Sequence, residues 1–190
     1  MVVQGKFEVP YFVYNIVSED VRKQLLHILD STKSYKSIKP YEVLQKSDWA
    51  YNKNPAEFTK NFINSSEPNY YNILKPYIDN IIQDLIQFDK QSSLFVSQGW
   101  FHQYTKLNWY FYHWHPGVRW ALVYYAELSD DGPKTEFENA FGKPISIDIK
   151  EGDILVFPAW LKHRSPPNKS NNRKTIIAFN IVEKIEGIAE

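Results

Sequence analysis

The hydrophobic pattern of this chain changes character near Ser93, and that change limits its possible folds more than any other feature. From there on, short runs rich in β-branched and aromatic residues follow one another closely, at 94–104, 108–115, 119–128, 144–149, 153–157 and 174–183. Turn signals separate them, including Asp130-Asp131-Gly132-Pro133, Gly142-Lys143-Pro144 and Ser165-Pro166-Pro167-Asn168. Short strands at this spacing predict an antiparallel sandwich or barrel. Before Ser93 the period is helical. Ser18 can cap a helix whose first turn holds Glu19 and Asp20, and Val21, Leu25, Ile28 and Leu29 give it an apolar stripe. A second helix is predicted from about Asn69 to Phe88, with Leu74, Ile78, Ile81, Ile82 and Leu85 on one face and Pro76 either kinking it or marking its start. Lys6 to Asn15 reads as a strand. Residues 32–68 are polar and weakly patterned, and read as loops with short helical pieces covering the substrate side. The expectation is one domain over 1–190, mainly β with flanking helices: residues 1–92 pack on a β core at 93–190.

Chemistry concentrates in that β half. His113 and His115 sit two apart in Tyr112-His113-Trp114-His115-Pro116-Gly117, so a strand would turn both rings to one face. His163 follows the apolar run 153–157, where Pro158 ends the strand and places the histidine in the loop just beyond. A histidine in a strand is more often structural than a ligand, and a His-x-His pair also arises by chance. Convergence of a third histidine on the same barrel rim favours the metal reading. The chain has no cysteine, so a metal must be held by nitrogen and oxygen. Lys+Arg 22 balances Asp+Glu 22, which argues against a wholesale grip on nucleic acid or an anionic membrane. No apolar run approaches the ~20 residues of a membrane helix, and no signal segment is evident, so a cytoplasmic protein is expected. Arg173 and Thr175 share a strand face among apolar neighbours. A guanidinium in an apolar barrel requires an anion and suits a carboxylate bidentately.

These residues resemble the Fe(II)/2-oxoglutarate-dependent oxygenases, whose core is a double-stranded β-helix, or jelly roll. The resemblance runs from about 95 to 183. It rests on Trp100, on His113-Trp114-His115-Pro116 and on Tyr124-Tyr125. It continues through Phe157-Pro158-Ala159-Trp160-Leu161-Lys162-His163 and Arg173 to Asn180. It implies iron held by His113, His115 and His163, and 2-oxoglutarate held by Arg173 and Thr175, with Tyr104 a further donor. It also implies dioxygen as oxidant and hydroxylation of an unidentified peptide or small molecule. Where the family has Asp or Glu, this chain has His115. Three histidines, a carboxylate from Glu136 or Glu138, or two histidines and a water remain open. Trp109, Tyr110, Tyr112, Trp114, Trp120 and Trp160 are candidates for the substrate cleft or for the core. A cupin-type metalloenzyme without 2-oxoglutarate and a non-catalytic jelly-roll binding module are the alternatives.

Overall fold

The computed structural model describes residues 8–52, 54–65, 69–90 and 93–184. Its helices begin where the capping chemistry puts them. Helix α1 (Glu19–Ser31) opens at Ser18, whose hydroxyl accepts from the Val21 amide, and Leu25 and Leu29, one turn apart, are buried. After a short helix α2 (Pro55–Phe58), α3 (Tyr70–Asp89) opens at Asn69, whose Oδ1 accepts from the Asn72 amide. It closes at Lys90 in the left-handed conformation, φ 54°. Pro76 lies inside α3, which runs through it. Leu74, Ile78, Ile81, Ile82 and Leu85 form its buried stripe as the spacing predicts. Burial of each such side chain contributes roughly 1.5–3 kcal/mol.

The strands are β1 (Phe12–Tyr14), β2 (Tyr35–Lys39), β3 (Glu42–Ser47), β4 (Leu94–Tyr104), β5 (Trp109–His113) and β6 (Trp120–Glu127). Then follow β7 (Glu136–Glu138), β8 (Pro144–Ser146), β9 (Ile154–Pro158), β10 (His163–Ser165) and β11 (Lys174–Glu183). Their pairings are antiparallel and run β1-β9-β6-β11-β4-β3-β5-β10-β7-β8, with β2 beside β3. The sheet curls and separates two apolar clusters. Along β11, Ile177, Phe179 and Ile181 pack on one side with Leu25, Leu29 and the stripe of α3. Ile176 and Ala178 point to the other side with Trp100, Tyr104, Ala121, Val123, Tyr125 and Phe157. This alternation is the strand period of two, and it fixes which side chains face the inner cavity.

Three expectations change. Residues 32–68 contain the hairpin β2–β3, and β3 pairs with β4 through Lys46↔Gln103 and with β5 through Glu42↔Tyr110. The sheet is therefore continuous across the boundary drawn at residue 92. Tyr35–Lys39 and Glu42–Ser47 carry Lys, Ser, Glu and Gln, so their hydrophobic pattern is too weak to announce strands. Short β7 and β10 also escape sequence reading, and His163 belongs to β10 rather than to a loop. Finally, the first strand shortens to Phe12–Tyr14, and residues 6 and 7 of its predicted span lie outside the described residues.

Asp48, just after β3, ties hairpin, helix and sheet together. Its carboxylate accepts from Tyr70 Oη at 2.7 Å, from the Phe101 amide at 2.8 Å and from Asn52 Nδ2 at 3.0 Å. Burial pushes this carboxyl up to about 7, against the opposing pull of those donors.

Candidate active site

Strands β5 and β10 lie side by side with His113 opposite His163. His115 follows two residues on, past the end of β5, where its amide donates to the Ala159 carbonyl at 2.9 Å. The three rings converge, with centroids 4.3 Å apart for His113 and His163, 5.1 Å for His115 and His163, and 5.2 Å for His113 and His115. One nitrogen from each lies within 4.8 Å of the others, so the three could hold one metal ion.

Hydrogen bonding selects the nitrogen. Nδ1 of His113 meets the Phe111 carbonyl at 2.9 Å, Nδ1 of His163 the Leu161 carbonyl at 2.7 Å, and Nδ1 of His115 the Asn180 Oδ1 at 2.6 Å. A carbonyl oxygen only accepts, so Nδ1 donates in each ring and Nε2 keeps its lone pair for a metal. Burial lowers all three imidazoles, His113 to about 4, and holds them in the neutral form that ligates. The three neutral donors leave the remaining positions of an ion open.

The carboxylate alternatives are occupied elsewhere. Glu136 is bonded to Arg164 at 2.7 Å, and Glu138 is paired with Lys162 at 2.5 Å. Among the described residues, the cluster that forms at this point is three histidines with no carboxylate.

The histidines line a cavity of about 480 Å³. Its wall from β4 and β11 carries Trp100, His102, Tyr104, Ile176, Ala178 and Asn180, all on the inner strand face. The same face carries Lys174, 1% exposed. Its Nζ donates to Ser165 Oγ at 2.9 Å and lies over the rings of Tyr104 and Tyr125 at 5.2 and 5.8 Å. Burial pulls this ammonium down to about 7, with Glu136 opposing. A buried cation with one hydroxyl partner is poised for an anion.

Arg173 is not in the cavity. It has the parity of Thr175, Ile177 and Phe179, the face that looks at the helices. Its guanidinium makes a bidentate pair with Glu127, Nε–Oε2 2.7 Å and Nη2–Oε1 3.0 Å, and reaches Asp30 of α1. The carboxylate expected for it thus comes from the chain itself. Thr175 donates to the same Glu127. The two residues do share a face, but the outer one. A bulge explains Glu127: Thr175 pairs with Glu127 and Ile176 with Tyr125, so β6 spends one extra residue and re-aims Glu127 outward. Tyr104 is in the cavity wall.

Of the aromatic candidates, Tyr110 and Trp114 line the cavity. Trp120 packs under the helices and donates to Asp89, Tyr112 lies beneath the Arg164 guanidinium, and Trp160 is exposed. Sequence reasoning missed Lys174, His102 and the hairpin residues Lys39, Tyr41 and Glu42, which also line the cavity. For Lys174 a signal existed in its alternation with Ile176 and Ala178.

Residues 132–180 match the family model described as "Putative 2OG-Fe(II) oxygenase"; that span holds His163, Lys174 and Asn180 but not His113 or His115. No curated protein matches the chain. Among solved structures, it is similar to a prolyl-4-hydroxylase of Pseudomonas putida, TM-score 0.68 at 11% identity over 93% of this chain and 94% of that one. It is also similar to the viral collagen prolyl hydroxylase of Paramecium Bursaria Chlorella virus-1 in its 2-oxoglutarate complex, TM-score 0.61 at 14% identity over 90% and 94%. A third neighbour is SnoK, a non-heme α-ketoglutarate-dependent carbocyclase from nogalamycin biosynthesis, TM-score 0.69 at 10% identity over 93% and 80%. The chain therefore shares the fold of these structures, and one segment of it, residues 132–180, matches the family model.

Proposed function

We propose that the protein is an Fe(II)- and 2-oxoglutarate-dependent oxygenase that hydroxylates a peptide or small molecule. One observation carries this reading: a single cavity holds three converging imidazoles and a separate buried ammonium at Lys174. A diacid that chelates a metal through one end needs a cation for its other carboxylate. Lys174 on the inner face supplies it, with the Ser165 hydroxyl beside it, in place of Arg173. The family-model match and the 2-oxoglutarate bound in the viral neighbour support the same cosubstrate.

His113, His115 and His163 would hold the iron, each through Nε2. Bound iron with 2-oxoglutarate and dioxygen supplies oxidative decarboxylation to succinate and carbon dioxide, coupled to insertion of oxygen into a substrate C–H bond. The chain's own residues bind and orient. Phe111 and Leu161 carbonyls and Asn180 fix the three rings, and Lys174 and Ser165 orient the diacid. Trp100, Tyr104, Ile176 and Ala178 keep water from the inner wall. This reading treats residues 1–190 as one unit, since β3 joins β4 to β5. It also places the enzyme in the cytoplasm; among the described residues no helix is long and apolar enough to cross a membrane.

The test is succinate release by the purified chain with Fe(II), ascorbate and 2-oxoglutarate across candidate substrates, together with calorimetric binding of 2-oxoglutarate. Metal-dependent turnover without 2-oxoglutarate would move the chain to the cupin reading. Failure to bind either metal or diacid would leave a binding module.

A further inference from the structure

Glu42 is a charged group of the cavity that neither the metal nor the diacid uses. It opens β3, pairs with Tyr110 of β5 and lines the same cavity as His113, whose ring lies 4.9 Å from that of Tyr110. Glu42 is only 5% exposed. Its Oε1 accepts from Ser37 Oγ at 2.5 Å and lies 3.2 Å from Lys39 Nζ. A carboxylate this deeply buried is costly unless positive charge meets it. Lys39 meets it only at the edge, since its own side chain is 46% exposed.

The surroundings suit a cation. The Lys39 ammonium lies 5.5 Å from the Tyr41 ring, so the chain's own alkylammonium already sits between a carboxylate and an aromatic face. Burial raises the Tyr110 phenol and the Glu42 charge adds to the rise, which puts a second ring within its field. Tyr41, Phe111, Trp49 and Trp114 line the same cavity and are partly open to solvent, Trp114 by 54%. Tyr41 stacks edge-on to Phe111, and Phe111 lies 5.5 Å from the His113 ring. A line of aromatic surface therefore leads from the carboxylate to the metal-binding histidines.

We infer that Glu42 is a substrate-anchoring residue, and that the cavity takes a substrate bearing an ammonium or guanidinium group on an alkyl chain. The cation docks on Glu42 and Tyr41 in the place of Lys39, and the hydrocarbon between it and the histidines lies on the aromatic surface. The chemistry at that hydrocarbon rests on the oxygenase reading; the recognition of charge does not.

Calorimetry on the full chain tests it. The probes are N-acetyl-lysine methylamide against N-acetyl-norleucine methylamide, and N-acetyl-arginine methylamide against N-acetyl-citrulline methylamide, so that each pair differs in charge at nearly constant shape. One series contains Fe(II) and 2-oxoglutarate under nitrogen, and a second contains neither. At least one cationic probe should bind tenfold or more tighter than its neutral partner in the first series. Glu42→Gln, which keeps an oxygen for Ser37, should erase that difference. Lys39→Met, which removes the internal competitor, should tighten cationic binding severalfold. Equal binding of charged and neutral probes overturns the inference, as does a Glu42→Gln variant that melts like the parent and still discriminates. If Glu42→Gln does not fold, Lys39→Met decides: tighter binding supports the inference, and unchanged or weaker binding overturns it. Charge discrimination in both series without any 2-oxoglutarate binding would remove the oxygenase reading and leave this one standing.

Discussion

His115 Nδ1 lies 2.6 Å from Asn180 Oδ1, so of the three clustered histidines the one that lies outside a strand has its ring held by a side chain rather than by a backbone carbonyl. Asn180 is in turn fixed by donating from Nδ2 to Gln98 Oε1 at 2.9 Å. This matters because His115 would hold the metal through Nε2, and a mobile ring would be a poor ligand. Asn180→Ala should weaken Fe(II) binding by about 10–100-fold, the usual effect of removing a ligand's orienting partner. Asn180→Asp keeps the acceptor and should bind Fe(II) much more tightly than Asn180→Ala. Chelator competition measures both, and an Asn180→Ala variant with parental affinity would refute the orienting role.

Arg173, just before β11, and Lys174, its first residue, should separate cleanly on substitution. Lys174→Met removes the buried ammonium and should weaken 2-oxoglutarate binding by tens- to thousands-fold while leaving Fe(II) binding intact. Arg173→Met should leave the 2-oxoglutarate affinity within about twofold. Instead it should cost stability, on the order of 1–2 kcal/mol, because Glu127 loses its bidentate partner at a part-buried site. The reverse pattern, with Arg173→Met alone losing the diacid, would restore the sequence-based assignment.

How much of this was legible follows from period and parity. The six strand runs after Ser93 and the stripe of α3 are strong patterns, and their elements form with small changes at the ends. His113, His115 and His163 could be singled out because histidine is rare in the chain and their spacing suits one strand face. Parity between Arg173 and Thr175 was readable, but the side of the sheet was not, because both faces of β11 are apolar and buried. The bulge that turns Glu127 outward has no local sequence mark. The hairpin β2–β3 is polar in sequence because it lies between the cavity and solvent, and polarity there hides a strand.

The ionisation of Lys174 sets a pH dependence. Its ammonium is pulled down to about 7 by burial, against about 10.4 for an exposed lysine. Only the charged form holds a carboxylate, so 2-oxoglutarate affinity should be flat below about pH 7 and weaken by up to tenfold per unit above it, until the pKa of the complex is reached. For folding, the unfolded chain binds the extra proton between those two pKa values. The Lys174 contribution to stability therefore rises with pH across that window, by about 1.4 kcal/mol per unit. Below about pH 7 both states are protonated and the full cost of the buried charge is present. Lys174→Met should then be more stable than the parent near pH 6.5, with the gap narrowing toward pH 9. A gap that does not move with pH, in denaturant titrations of both chains, would contradict this account.

Packing between α2 and the sheet gives a test of the fold that is independent of chemistry. Gly99 on β4 lies under Phe58 of α2 and Phe179 of β11. A Cβ added at Gly99 would sit 2.5 and 2.6 Å from Phe179 Cδ1 and Cε1, and 2.9 Å from Phe58 Cε2. Both rings are fully buried, and Phe58 is stacked on Phe62 and edge-on to Tyr71, so neither can swing away into solvent. Phe179 also carries the contact between the sheet and the start of α3, through Tyr70 and Tyr71. Gly99→Ala should therefore destabilise the protein by about 1–3 kcal/mol, the cost of overpacking a filled core. The loss should appear as a lower midpoint in urea with an unchanged slope, since the two end states stay the same. Gly99→Ala with Phe179→Leu should recover part of it, because the shortened side chain makes room for the methyl group. Full stability of the single variant would mean that α2 and the sheet do not meet as described.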